Sequence, residues 1–235
     1  LPDLHGMYWS SSNDFTEAMY YRLAQAVSFS NSFIKNASEL SGEEVNVFIA
    51  EARFLRAYAY YNLLDLYGNV PLTTEISTEL PTQSNRTELF NFIESELMEI
   101  ESTLLASNEY GRVDNIAAHA LLSRLYLNAE AWTGQDRYAD CVTYSQNVIN
   151  SGYSLNMNDA NGNGTAYDEL FMADNDVNGA QNEFIFTLNF DGMQSQTYGG
   201  TTFLVHAAIG GSMNPGNFGV NGGWGGLRTT KNLVN

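Results

Sequence analysis

Residues 41–67 carry a long helical pattern that ends on a built-in stop, and this limits the fold more than any other feature. Phe54, Ala57, Tyr58 and Tyr61 recur at the spacing of helix–helix contacts, while Arg53 and Arg56 place donors on a mostly apolar helix. Ser41 and Glu44 stand three apart, as in a capping box, which predicts the helix start. Gly68 predicts its end, and Pro71 forbids resumption and leads the chain out extended. A helix this long buries its apolar face only against other helices, and the neighbouring sequence supplies them.

Phe15, Met19, Tyr20, Leu23, Val27, Phe29 and Phe33 predict an earlier helix, with Asn13 or Asp14 as its cap. Further helices are expected from about Thr87 to Ala106, Asp114 to Ala131 and Arg137 to Asn150. Short turns join them in pairs. The last two read like a tetratricopeptide unit, because Ala117, Ala118 and Ala120 allow close approach and Gly134 makes the turn. The fold class expected is therefore mainly α, built of tetratricopeptide-like helical hairpins over residues 1–152.

The chemistry of the chain changes after Gly152. Residues 156–166 are dominated by Asn, Asp and Gly, which is loop composition. Glu183 to Phe190 alternates and predicts a strand. From Gly199 onward dense glycine predicts a long loop carrying Tyr198, Phe203, Phe218 and Trp224. Residues 153–235 are thus expected to form a loop and short-strand binding region.

Composition narrows the partners. With 27 acids against 10 bases the net charge is −17, which argues against nucleic acid and against adsorption on anionic lipid. No apolar run is long enough for a membrane helix. A single cysteine, Cys141, excludes an internal disulfide. No HExxH, GxSxG, Walker or CxxC motif occurs, and His5, His119 and His206 are far apart in sequence, so no enzyme is expected.

Two readings of the residues remain. Asp174-Asn-Asp176-Val-Asn178-Gly179 matches the opening of an EF-hand loop, whose spacing turns side-chain oxygens toward one hard cation. The twelfth position is Ile185 rather than Glu, and the other reading is a run of Asx turns. Aromatic rings in the glycine loops suit an uncharged sugar, whose C–H face packs on a ring while amides such as Gln194, Gln196, Asn214, Asn217 and Asn221 bond its rim. A lid over the helical core is the alternative.

Glu51-Ala-Arg53-Phe-Leu-Arg56-Ala-Tyr58-Ala-Tyr-Tyr61-Asn-Leu-Leu-Asp65-Leu-Tyr-Gly68-Asn-Val-Pro71-Leu resembles the hallmark helix of the SusD/RagB family, surface glycan-binding lipoproteins of Bacteroidota. Residues 87–101, Gly111-Arg-Val-Asp114 and Leu121–Ala129 are also similar to that family. Glu169–Asp176 and Gln196-Thr-Tyr198-Gly-Gly-Thr-Thr-Phe203 resemble its starch-system member. The resemblance implies non-catalytic capture of starch-type oligosaccharides at the outer membrane, with a SusC-type TonB-dependent transporter as partner. It maps two rings of the family's aromatic arc onto Tyr198 and Trp224. It maps a calcium-associated acid onto Asp176, with Asn178 beside it, so Ca²⁺ is an expected structural ion. Family members are about twice this length, so the chain is expected to be an internal portion of a longer lipoprotein whose lipid anchor lies elsewhere. Another neutral glycan such as a fructan, or a helical-repeat scaffold binding only protein, are the rival functions.

Overall fold

The structure is a computed structural model and describes residues 2–191, 193–195, 198 and 200–228. Helices dominate: α1 (Pro2–His5), α2 (Asp14–Ala37), α3 (Glu43–Tyr67), α4 (Arg86–Ile100), α5 (Asn115–Leu127), α6 (Ala129–Thr133), α7 (Tyr138–Ile149) and α8 (Gly200–Ala208). A two-stranded antiparallel ribbon, β1 (Val70–Pro71) and β2 (Gln83–Ser84), pairs Val70 with Ser84 and links α3 to α4. The chain divides into two compact units, Leu1–Thr187 and Leu188–Asn235.

Local chemistry sets the helix ends. Asn13 caps α2, its Oδ1 accepting from the N–H groups of Phe15 and Thr16. Asp114 caps α5 through the N–H of Ala117. The capping box expected at Ser41 and Glu44 does not form. Gly42 occupies the cap position of α3, and no side chain caps that end. A reciprocal box forms instead on α4, where Asn85 Oδ1 accepts from Glu88 N–H and Glu88 Oε2 accepts from Asn85 N–H.

In the first unit α2 packs on α3, α3 on α4 and α5 on α7, the tetratricopeptide-like hairpin arrangement. Phe54, Ala57, Tyr60, Leu64, Ile93, Leu97, Leu122 and Leu125 are buried in one continuous core. Each large apolar side chain there contributes roughly 1.5–3 kcal/mol relative to an exposed one. The chain leaving α3 is pinned by Tyr60, whose hydroxyl donates to the Thr73 carbonyl and accepts from the Thr73 N–H. Burial, with the neighbouring Glu94 carboxylate, pushes the Tyr126 phenol well above its ordinary range, so it stays a donor to Glu94.

Charge is buried at the centre of this unit. Glu96 Oε1 accepts from Arg53 Nε and Nη2 at 3.0 and 2.6 Å, and Oε2 accepts from Arg56 Nε and Nη2 at 2.9 and 2.5 Å. Arg56 Nη1 donates to Asn31 Oδ1 and to the Thr74 carbonyl. The network therefore ties α2, α3, α4 and the segment after β1 together.

Residues 153–187 belong to the helical unit, so the division falls later than the change of composition at residue 152. Tyr153 donates its hydroxyl to Asp114, and Phe186 sits edge-on against Phe54 and Tyr58. The strand expected over Glu183–Phe190 is absent. Two adjacent residues, Ile185 and Phe186, both pack against the core, which a regular two-residue alternation does not allow, and among the described residues the run forms no strand ladder.

The second unit corrects a further expectation. The glycine-dense stretch after Tyr198 contains helix α8 rather than loop throughout. Its glycines stand outside the run Thr201–Ala208, leaving the interior free of them. Residues 224–227 return beside the end of α8: Trp224 N–H donates to the His206 carbonyl at 2.8 Å, Gly225 N–H to Ile209 and Leu227 N–H to Ala207, both at 2.9 Å. This approach requires glycine at 223, where a Cβ would lie 2.4 Å from the Ile209 carbonyl oxygen.

Candidate functional site

Within the second unit, Tyr198 and Trp224 lie close together. Their ring centroids are 6.3 Å apart with planes inclined at 45°. Tyr198 is 85 % exposed and Trp224 45 % exposed, so both present ring surface to solvent. Before Tyr198, Asp191 Oδ1 accepts from the N–H groups of Ser195, Met193 and Gln194, which hold its carboxyl down at about 2 and close a tight turn. Trp224 sits on the returning segment, whose backbone is bonded to α8.

Two side chains of α8 flank the indole. Phe203 lies 6.2 Å away, and the His206 ring stacks on it at 4.7 Å with an interplanar angle of 25°. The sequence alone shows no link between positions 206 and 224. The resemblance pointed to Tyr198 and Trp224 but not to His206, which the helix expected as loop brings into place. Of the polar neighbours named for the sugar rim, Asn214 is used as a cap, its Oδ1 accepting from Gly216 N–H, and Gln196 lies outside the described residues. A stacked aromatic platform with exposed faces suits an uncharged ring-shaped ligand.

The loop of Asp174–Gly179 lies in the first unit. Asp176 is exposed. Asn178 is used as a turn residue: its Oδ1 accepts from Ala180 N–H at 2.9 Å, and its Nδ2 donates to the Glu169 carbonyl and to Glu169 Oε2, each at 3.0 Å. Its amide nitrogen thus faces the neighbouring carboxylate. Ca²⁺ takes six to eight oxygens. Among the described residues no group of three or more acids or histidines converges to hold a metal. In this arrangement the loop by itself does not fit the ion. It matches the Asx-turn reading, and a ligand role for Asn178 needs its amide turned over.

The first unit also carries an open cleft of about 300 Å³ between residues 106–112, the start of α5 and residues 181–187. Its polar lining is engaged in the fold: Asn108 and Arg112 bind Glu51, and Tyr153 binds Asp114.

The first unit is an α-helical-hairpin fold, and comparison with known proteins places the chain. Residues 6–127, just over half of the chain, match the family described as starch-binding and associating with the outer membrane. The chain belongs to this SusD-like family. It is 39 % identical over 208 residues to the starch-binding protein SusD of Bacteroides thetaiotaomicron, covering 87 % of this chain and 36 % of that protein. Among solved structures, a SusD-like protein of Bacteroides fragilis aligns over 81 % of this chain and 36 % of its own, with a TM-score of 0.66 and 24 % identity. A laminarin-binding SusD-like protein aligns over 69 % and 36 %, with a TM-score of 0.59 and 25 % identity. The chain therefore spans about a third of the length of these relatives.

Proposed function

We propose that the full-length protein captures starch-type oligosaccharides at the cell surface, without catalysis, and delivers them to a SusC-type TonB-dependent transporter in the outer membrane. The pairing of two exposed rings, Tyr198 and Trp224, on one small unit carries this reading. The rings supply apolar area to successive glucose units, and the acidic surface does not repel a neutral ligand. Identity to a starch-binding protein over most of the chain favours starch over other glycans. The laminarin-binding relative makes another neutral glucan the second reading. Surface exposure through a lipid anchor belongs to the same proposal.

Calorimetric titration of the full-length protein with maltoheptaose, laminarin oligosaccharide and a fructan tests it. Saturable heat with maltoheptaose and none with fructan is the expected result. Heat with laminarin alone moves the ligand to the second reading, and heat with none of the three overturns glycan capture by this site.

The calcium expectation also stays a proposal. Asp176 supplies a carboxylate, Asn178 an amide oxygen after its side chain turns over, and the other oxygens come from elsewhere in the full-length protein. Added Ca²⁺ then raises the melting temperature of the wild type but not of Asp176→Asn. An equal response in both removes Asp176 from the site.

A further inference from the structure

We propose that His206 is the residue that positions Trp224 for its ligand, a role that rests on reading Trp224 as a glycan contact. An indole on a glycine-bordered segment is free to sample several rotamers, and fixing it only upon binding costs affinity. Here the fixing is done in advance. The His206 imidazole covers one face of the indole at 4.7 Å and nearly parallel. The imidazole is itself anchored, because Nδ1 lies 2.8 Å from the Gly222 carbonyl oxygen. A carbonyl only accepts, so Nδ1 carries the proton and the ring orientation is set. The same residue's carbonyl accepts from the Trp224 N–H at 2.8 Å. His206 thus holds the platform three times: by ring stacking, by a side-chain bond to the residue two before Trp224, and by a main-chain bond to Trp224 itself. A saccharide meets an indole already backed on one side, with 45 % of the residue still open.

The stack is the part that matters for the ring, so two substitutions separate it from the bond to Gly222. His206→Phe keeps an aromatic face and loses the donor. His206→Asn keeps an amide donor and loses the face. Each is made in the full-length protein beside Trp224→Phe, which isolates the Trp224 contribution to near-ultraviolet circular dichroism by difference. His206→Asn is expected to shrink that difference signal to less than about half and weaken maltoheptaose binding about tenfold, while His206→Phe stays within about threefold of wild type. An unchanged Trp224 signal in His206→Asn overturns the proposal. So does wild-type affinity in that variant where Trp224→Ala binds weakly. If His206→Asn does not fold, His206→Leu takes its place: a Trp224 signal cut to less than about half together with weakened binding supports the role of the stack, and a wild-type signal overturns it. If Trp224→Ala leaves affinity unchanged, the glycan reading of this site falls, and the dichroism still reports whether His206 holds the indole.

Discussion

Glu96→Ala is expected to destabilise the helical unit by about 3–5 kcal/mol, the cost of leaving a buried charge without its partner. Arg56 is 5 % exposed and Glu96 6 % exposed, so neither charge has water to fall back on. One carboxylate satisfies two guanidinium groups, each through paired N–H donors, and Arg56 extends the network to Asn31 and Thr74. Removing the acid strands Arg56 and loosens four segments together. Glu99 provides the contrast. It also binds Arg53, at 2.6 Å, but lies at the surface. Glu99→Ala is therefore expected to cost no more than about 1 kcal/mol. Denaturant unfolding of both variants checks the pair. Replacing Arg56 and Glu96 together by Met and Leu should cost less than Glu96→Ala alone, since the one cation left, Arg53, is partly exposed and still paired with Glu99. Equal stability of Glu96→Ala and Glu99→Ala would remove the network from its central place.

Trp224→Ala is expected to weaken binding of maltoheptaose by about 1–3 kcal/mol, or roughly 5- to 150-fold. The indole is the largest exposed ring of the second unit, and it alone has ring neighbours on both sides of the platform, Tyr198 and the α8 pair. Truncation removes its stacking surface and leaves His206 and Phe203 facing a gap. Phe29→Ala, at an exposed ring on α2 in the other unit, is the control and should leave affinity unchanged. Calorimetry on both variants decides. Wild-type affinity in a folded Trp224→Ala protein would move the sugar site away from these two rings.

Much of the fold was legible in the sequence, for local reasons. The helix over 43–67 follows from the spacing of Phe54, Ala57, Tyr58 and Tyr61 and from the stop at Gly68. The cap at Asn13 follows from a short side chain that reaches its own backbone. One local expectation failed, the capping box at Ser41 and Glu44; the others that failed depended on something beyond the segment itself. An alternating run becomes a strand only in a ladder, and in Glu183–Phe190 the adjacent Ile185 and Phe186 pack together on the core instead, with no ladder among the described residues. The glycine-rich region was read by density, whereas α8 depends on where the glycines stand.

The site divides along the same line. The sequence by itself determined a mainly helical chain, its stop at Gly68 and its cap at Asn13, because those rest on neighbours within four residues. Through resemblance it also singled out Tyr198 and Trp224. Only the tertiary structure decided that Glu96 answers Arg53 and Arg56 across two helices, and that His206 stands behind Trp224. Side chains 18 to 43 positions apart on separate elements carry no mutual spacing signal. Whether a donor finds its acceptor, or a ring its backing, is settled by how the elements pack.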